Sequence, residues 1–233
     1  GKAYFSANNG VHGEELWVSD GTEAGTHLVA DVKAGPGSSV AWILNAVGRT
    51  LFFSANDGTH GGELWASDGT PAGTRLVADI VPGSASSGIL ESAVAGNRFF
   101  FTANDGIHGS ELWTSLGTAA TTRLVKDIHP GPDGFAIQNL DLAAAAGSWL
   151  FFSADDGVHG QELWVTNGTE ARTQLVADIN PGSAGSSRRF GHEPIAAPGK
   201  LFFFADDGVH GAELWALPLP KLTPRVYLPV IVR

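Results

Sequence analysis

Bulky apolar residues in this chain come in adjacent pairs that recur: Phe52-Phe53 and Leu64-Trp65, then Phe100-Phe101 and Leu112-Trp113. In an extended strand, neighbouring side chains point to opposite faces, so such pairs make a sheet apolar on both sides. A sheet of that kind must be covered on both faces, and equal sheets stacked around an axis cover one another. No segment keeps a 3.6-residue period, so helices are not expected.

Turn signals divide the pattern into units of four short strands. In the third unit Ile89–Ala95 leads through Gly96-Asn97 into Arg98–Ala103, a tight Gly-X hairpin link. The loop Asn104-Asp105-Gly106-Ile107-His108-Gly109 opens a third strand, Glu111–Ser115, and Leu116-Gly117-Thr118 opens a fourth, Arg123–Ile128. The Pro/Gly stretch His129–Gly134 carries the chain onward. The tripeptide Glu-Leu-Trp begins at Glu15, Glu63, Glu111, Glu162 and Glu213, at spacings of 48, 48, 51 and 51 residues. Four strands per unit of about 40–50 residues is the signature of a propeller blade. The expected architecture is an all-β, five-bladed β-propeller of four-stranded antiparallel blades. Its units lie near 1–40, 41–88, 89–136, 137–187 and 188–217, followed by a Pro-rich link 218–224 and a strand 225–233. A β-solenoid would need shorter coils and separate modules would need linkers, so both rank below the propeller.

The motif Glu-Leu-Trp-X-X-Asp-Gly-Thr, intact at Glu15–Thr22 and Glu63–Thr70, resembles the bacterial ELWxxDGT repeat family. The resemblance covers nearly the whole chain. It implies secreted or surface-exposed bacterial proteins, in a family defined by its repeat rather than by an activity. The third copy departs at Leu116, the fourth at Asn167, and the fifth runs Ala216-Leu217-Pro218.

Gly1-Lys2 aligns with Gly48-Arg49, Gly96-Asn97, Gly147-Ser148 and Gly199-Lys200, so the first blade is expected to lack its own first strand. The fifth loses the repeat after Trp215 and passes through Pro218, Pro220 and Pro224 into Arg225, Val226, Tyr227, Leu228, Pro229, Val230, Ile231, Val232 and Arg233, a β-branched apolar run that reads as a strand. Three placements are open for it: completing blade one, completing blade five, or pairing with a neighbouring subunit. The last makes a polymer, because a head-to-tail contact that does not close runs on.

Composition narrows the partners. Hydrophobic residues make up 43% and charged ones 16%, which fits a buried globular protein rather than a disordered one. The net charge is −10 and the basic residues are scattered, poor material for neutralising phosphates, so neither nucleic acid nor anionic membrane is an expected partner. No apolar run approaches the length of a membrane span, and no signal peptide is visible. The first residue is not Met, which reads as a processed or trimmed start. The chain has no Cys, so it forms no disulfides; this leaves the compartment undecided.

Candidate chemistry repeats with the fold. His12, His60, His108, His159 and His210 each stand three residues before Glu15, Glu63, Glu111, Glu162 and Glu213. A His and a carboxylate in every blade suggest either a ligand or metal site, or a joint. A feature copied into each blade answers a need that each blade has, so the structural reading is preferred: His donating to a loop carbonyl and Glu accepting from amides, fixing blade to blade. The loop pairs Asn56-Asp57, Asn104-Asp105, Asp155-Asp156 and Asp206-Asp207 invite calcium, but that ion needs six to eight oxygens, and Asx-Gly turns account for the pairs. No cofactor is expected, with calcium left open. Asp31, Asp79, Asp127 and Asp178 read as Asx caps on the interblade links. The tryptophans of the repeat read as interblade core, while Trp42 and Trp149, outside it, are candidate surface aromatics. The least repetitive stretch, Ser183–Pro198 with Arg188, Arg189, His192 and Glu193, is the place expected to hold a unique site. No nucleophile, phosphate-loop or zinc motif is present. The function expected is that of a non-enzymatic extracellular structural protein, assembling with itself through its C-terminal strand. The alternative is a multivalent, lectin-like propeller binding glycans.

Overall fold

The computed structural model of the protein describes residues 1–132, 137, 140, 143–186 and 194–219. Within them the chain is all-β, a series of antiparallel sheets each built from strands consecutive in sequence. The first sheet holds β1 (Ala3–Asn8), β2 (Glu14–Ser19) and β3 (His27–Ala30). The second holds β4 (Trp42–Val47), β5 (Thr50–Asn56), β6 (Gly62–Ser67) and β7 (Arg75–Ala78). The third holds β8 (Ser92–Ala95), β9 (Arg98–Asn104), β10 (Ser110–Ser115) and β11 (Arg123–Lys126). The fourth holds β12 (Ala144–Ala146), β13 (Trp149–Asp155), β14 (Gln161–Thr166) and β15 (Gln174–Leu175). The fifth holds β16 (Ile195–Ala197), β17 (Lys200–Asp206) and β18 (Ala212–Pro218). The first and fifth sheets therefore have three strands each among the described residues. The tail strand with Arg225, Val226, Tyr227, Leu228, Val230, Ile231 and Val232 lies outside those residues, as do Arg188, Arg189, His192 and Glu193.

The paired apolar residues do what their spacing predicts: each sheet lays one face on the opposite face of the next. Leu16, Val18 and Val29 of the first sheet bury against Leu51, Phe53 and Ala55 of the second. Leu64, Ala66 and Val77 repeat this against Phe99, Phe101 and Ala103, Leu112 and Val125 against Leu150, Phe152 and Ala154, and Leu163, Val165 and Val176 against Leu201, Phe203 and Ala205. The Phe52 ring stacks on Phe99 with centroids 4.3 Å apart. Each fully buried Leu or Phe contributes about 1.5–3 kcal/mol, so the core is a set of sheet-to-sheet seams.

Strand ends differ from expectation where side chains leave the ladder for a seam. β8 begins at Ser92 rather than at Ile89, which is buried between the second and third sheets. β11 stops at Lys126 rather than Ile128, whose side chain joins the seam with the fourth sheet.

The turn after each Glu-Leu-Trp explains the rest of the motif. Asp68 Oδ1 accepts from the amide and the hydroxyl of Thr70 (2.9 and 2.7 Å), and the Thr70 hydroxyl accepts from the amide of Gly73 (3.0 Å). This brings residue 73 so near that a Cβ there would stand 2.1 Å from the Asp68 carboxylate. Where Leu116 replaces the Asp, Thr121 replaces the Gly, and its hydroxyl accepts from the amides of Leu116 and Thr118 instead (3.2 and 3.3 Å).

Candidate functional site: a repeated joint between sheets

The Glu of each Glu-Leu-Trp is on the third strand of its sheet, or on the second, β2, in the first sheet, and Glu15, Glu63, Glu111 and Glu162 are wholly buried. Each carboxylate accepts from the link that leads to the next sheet. Glu15 takes the amides of Val32 and Ser39 (both 3.0 Å) and the hydroxyl of Ser39 (2.7 Å). Glu63 takes the amides of Ile80 (2.9 Å) and Ser87 (3.0 Å). Glu162 takes the amide of Asn180 (3.1 Å) and the hydroxyl of Ser186. The same serines accept on their carbonyls from the end of the next sheet's second strand: Asn56 N–H to Ser39 (3.0 Å), Asn104 N–H to Ser87 (2.9 Å) and Asp206 N–H to Ser186 (3.0 Å). One buried carboxylate thus ties three segments of two sheets.

Glu111 has a poorer joint. It accepts from the amide of His129 (2.8 Å), and its Oε2 is buried without a hydrogen-bond partner. The residue 24 positions after Glu15, Glu63 and Glu162 is Ser39, Ser87 and Ser186, whereas after Glu111 it is Phe135, which has no hydroxyl. Burial pushes the Glu63 and Glu162 carboxyls above their ordinary range, and it pushes Glu111 up to about 7.

The histidines sit in the loop that enters the same strand, and their partner corrects the expectation of a backbone carbonyl. The Nδ1–H of His60 donates to Asp57 Oδ2 (2.7 Å), and His108 with Asp105 (2.7 Å), His159 with Asp156 (2.8 Å) and His210 with Asp207 (2.9 Å) do the same. The other oxygen of Asp57 accepts from the amides of Thr59 and His60 (2.8 and 2.9 Å). In the first sheet the Asp is Asn9, whose Nδ2 donates to Nδ1 of His12 (2.9 Å), so that ring accepts where the others donate. The hydrogen bond to Asp raises the His60, His108 and His159 imidazoles above their ordinary value. Burial alone raises Asp57, Asp105 and Asp156, but the amide and imidazole of the following His outweigh it and hold these carboxyls low.

Among the described residues no group of three or more His, Asp or Glu side chains is placed to hold a metal, and the loop carboxylates are occupied by amides and imidazoles. No helix among them is long and apolar enough to cross a membrane. Of the expected link caps, Asp31 Oδ2 accepts from Gly35 N–H (3.1 Å), but one oxygen each of Asp79 and Asp127 is buried without a partner. The indole N–H groups of Trp17, Trp65, Trp113 and Trp164 are buried without an acceptor, and that of Trp215 donates to Ala205 (3.0 Å). Trp149 is no surface aromatic, since it packs against the seam of the fourth and fifth sheets. Trp42 is exposed.

Glu213 carries the same motif in the fifth sheet and is exposed. Beside it Leu214 is 55% exposed, while its counterparts Leu16, Leu64 and Leu112 are at 0% and Leu163 at 6%. The serines of the joint escaped the sequence reading; the signal was a Ser that recurs 24 residues after Glu15, Glu63 and Glu162, at Ser39, Ser87 and Ser186.

No family model and no curated protein matches the chain. Solved structures resemble it in fold. A crystal structure of puromycin hydrolase aligns with a TM-score of 0.51 at 14% identity, over 93% of this chain and 33% of that one. A serine-to-alanine mutant of puromycin hydrolase complexed with PGG aligns with a TM-score of 0.51 at 12% identity, over 88% of this chain and 31% of that one. A TolB-type protein from Agrobacterium tumefaciens aligns with a TM-score of 0.42 at 12% identity, over 93% and 73%. The neighbours are propeller proteins; this chain spans about a third of the hydrolase's length, and the likeness is one of fold alone.

Proposed function

We propose that this chain is a non-enzymatic structural protein of the bacterial exterior, a five-bladed propeller array that associates with itself. The observation that carries the reading is the fifth sheet's outgoing face. Glu213 and Leu214 present the elements of the joint used four times within the chain, yet they are exposed. Burying one Leu contributes about 1.5–3 kcal/mol, and a buried carboxylate joint adds the hydrogen bonds of the link. The incoming face that such a surface fits carries Phe5 and Ala7 on β1, at the positions of Phe53 and Ala55. An edge of β18 with no fourth strand beside it among the described residues is a template for pairing, and the apolar run Arg225–Arg233 has the composition to fill it in a neighbouring subunit. The likeness of Glu15–Thr22 and Glu63–Thr70 to the ELWxxDGT repeat supports the exterior location.

Light scattering behind gel filtration, with negative-stain electron microscopy, tests this. Oligomers or filaments that grow with concentration are expected, and both Leu214→Glu and deletion of residues 225–233 should return the chain to monomers. Wild-type protein that stays monomeric as discrete rings at every concentration contradicts association.

A further inference from the structure

The repeat is broken in one place by several features at once. β4 carries a bulge: Trp42 pairs with Ser54 and Ile43 with Phe53, but the ladder resumes at Ala46 with Leu51, so Leu44 and Asn45 together oppose Phe52. Bulges re-aim side chains and gather beside binding sites. Just ahead of β4, Val40 has φ 51°, alone among the described non-glycine residues in the left-handed region, where the next unit has Gly88 at φ 68°. Trp42 is 55% exposed and Leu90 62%. Together with Ile43, Leu44, Asn45 and Ser92 they line a cleft of about 350 Å³ between the second and third sheets, a volume within the range of small-ligand sites.

The chemistry of the lining narrows the occupant. None of the six residues is charged, and the adjacent Glu91 turns its carboxylate to the amide of Leu140 (2.8 Å). The indole Nε1–H of Trp42 is already donated to the carbonyl of Leu90 (3.2 Å). That bond fixes the ring and leaves its apolar surface as what the exposed part offers. Asn45 spends its Nδ2 hydrogens on the carbonyl and hydroxyl of Ser92 (3.4 and 3.2 Å), which leaves its Oδ1 as an acceptor. A held aromatic face beside an uncharged acceptor, in a cleft of this size, suits a ligand with an apolar face, hydroxyl donors and no charge. We infer that the cleft of Trp42, Asn45 and Leu90 binds a neutral sugar ring, which stacks its C–H face on the indole and donates a hydroxyl to Asn45. Among the described residues such a bulged first strand occurs once, so the site is independent of the self-association proposed above and unlike a pocket repeated in every blade.

Saturation-transfer NMR of the full chain with methyl glucoside, methyl galactoside, methyl mannoside, cellobiose, lactose and chitobiose tests it. Transfer to the ring protons of at least one sugar is expected, and loss of the aromatic contact in Trp42→Ala should weaken that binding about tenfold. Because Trp42→Ala also removes the bond to Leu90, Leu90→Ser serves as a second variant: it keeps that carbonyl, trims the wall and should weaken binding as well. Trp42→Phe should retain most of the affinity, and Trp149→Phe, away from the cleft, all of it. No transfer to any of the six sugars, or full affinity in both Trp42→Ala and Leu90→Ser, overturns the inference. Capture of an uncharged peptide in place of every sugar overturns it too.

Discussion

Replacing Glu111 with Gln should make the protein more stable above pH 7, whereas the same replacement at Glu15 should unfold it more easily at any pH. Burial lifts the Glu111 carboxyl from 4.5 to about 7, so between those values the folded chain holds a proton that the unfolded chain has released. Stability from this group is therefore complete below pH 4.5 and lost as pH rises through 7. At about 1.4 kcal/mol per tenfold change in proton concentration, the loss is about 3 kcal/mol. Gln does not titrate; its carbonyl can still accept from His129, and the buried Oε2 that it replaces has no donor to lose. At Glu15 both oxygens face donors, from Val32 and Ser39, and an amide nitrogen there sets donor against donor at a cost of about 1–3 kcal/mol. Urea unfolding followed by tryptophan fluorescence at pH 5 and pH 8 reads both. Wild type should lose about 2.5 kcal/mol more than Glu111→Gln on going from pH 5 to pH 8. If Glu111→Gln at pH 8 is as destabilised as Glu15→Gln, the account of the third joint fails.

The whole chain should be most stable in mildly acidic solution. His60, His108 and His159 are raised, so their contribution is present below 6.5 and lost as pH climbs through the folded values, while Asp57, Asp105 and Asp156 are lowered and theirs is lost as pH falls beneath the ordinary carboxylate range. A thermal midpoint that rises steadily from pH 5 to pH 9 contradicts this. Gly73→Ala should destabilise the second sheet, since its methyl meets the Asp68 carboxylate. The double change Asp68→Leu with Gly73→Thr, which copies Leu116 and Thr121, should recover most of the loss in a calorimetric scan. Val40→Gly relieves a left-handed valine and should stabilise by about 1 kcal/mol; a lower midpoint in the variant shows that the conformation is not strained.

The sheets were legible in the sequence because paired apolar residues and Gly-rich turns recur at fixed spacing, and both are local signals. What depended on distant neighbours was not. That His60 stands three residues after Asp57 was visible, but whether its ring meets that carboxylate or a loop carbonyl is decided by the fold of the loop. The serine partner of Glu63 is 24 residues away, beyond any local pattern, although a Ser at that same spacing after Glu15 and Glu162 marked it. Trp42 and Trp149 look alike as non-repeat tryptophans, yet one is exposed on a bulged strand and the other closes a seam. Leu64 and Leu214 share the same motif, and their burial differs because the third sheet stacks over Leu64, whereas among the described residues no sheet stacks over Leu214.

Native-state hydrogen exchange tests most directly whether the buried glutamates join one sheet to the next. In the wild type, the amides of Ile80, Ser87 and Asn104 should be protected almost as strongly as those in the middle of β6. Glu63→Ala should speed exchange at those three while leaving Ser39 and Asn56, in the joint before it, unchanged. Rapid exchange of Ile80 and Ser87 in the wild type, or protection there that Glu63→Ala leaves intact, would show that the carboxylate does not hold the sheets together.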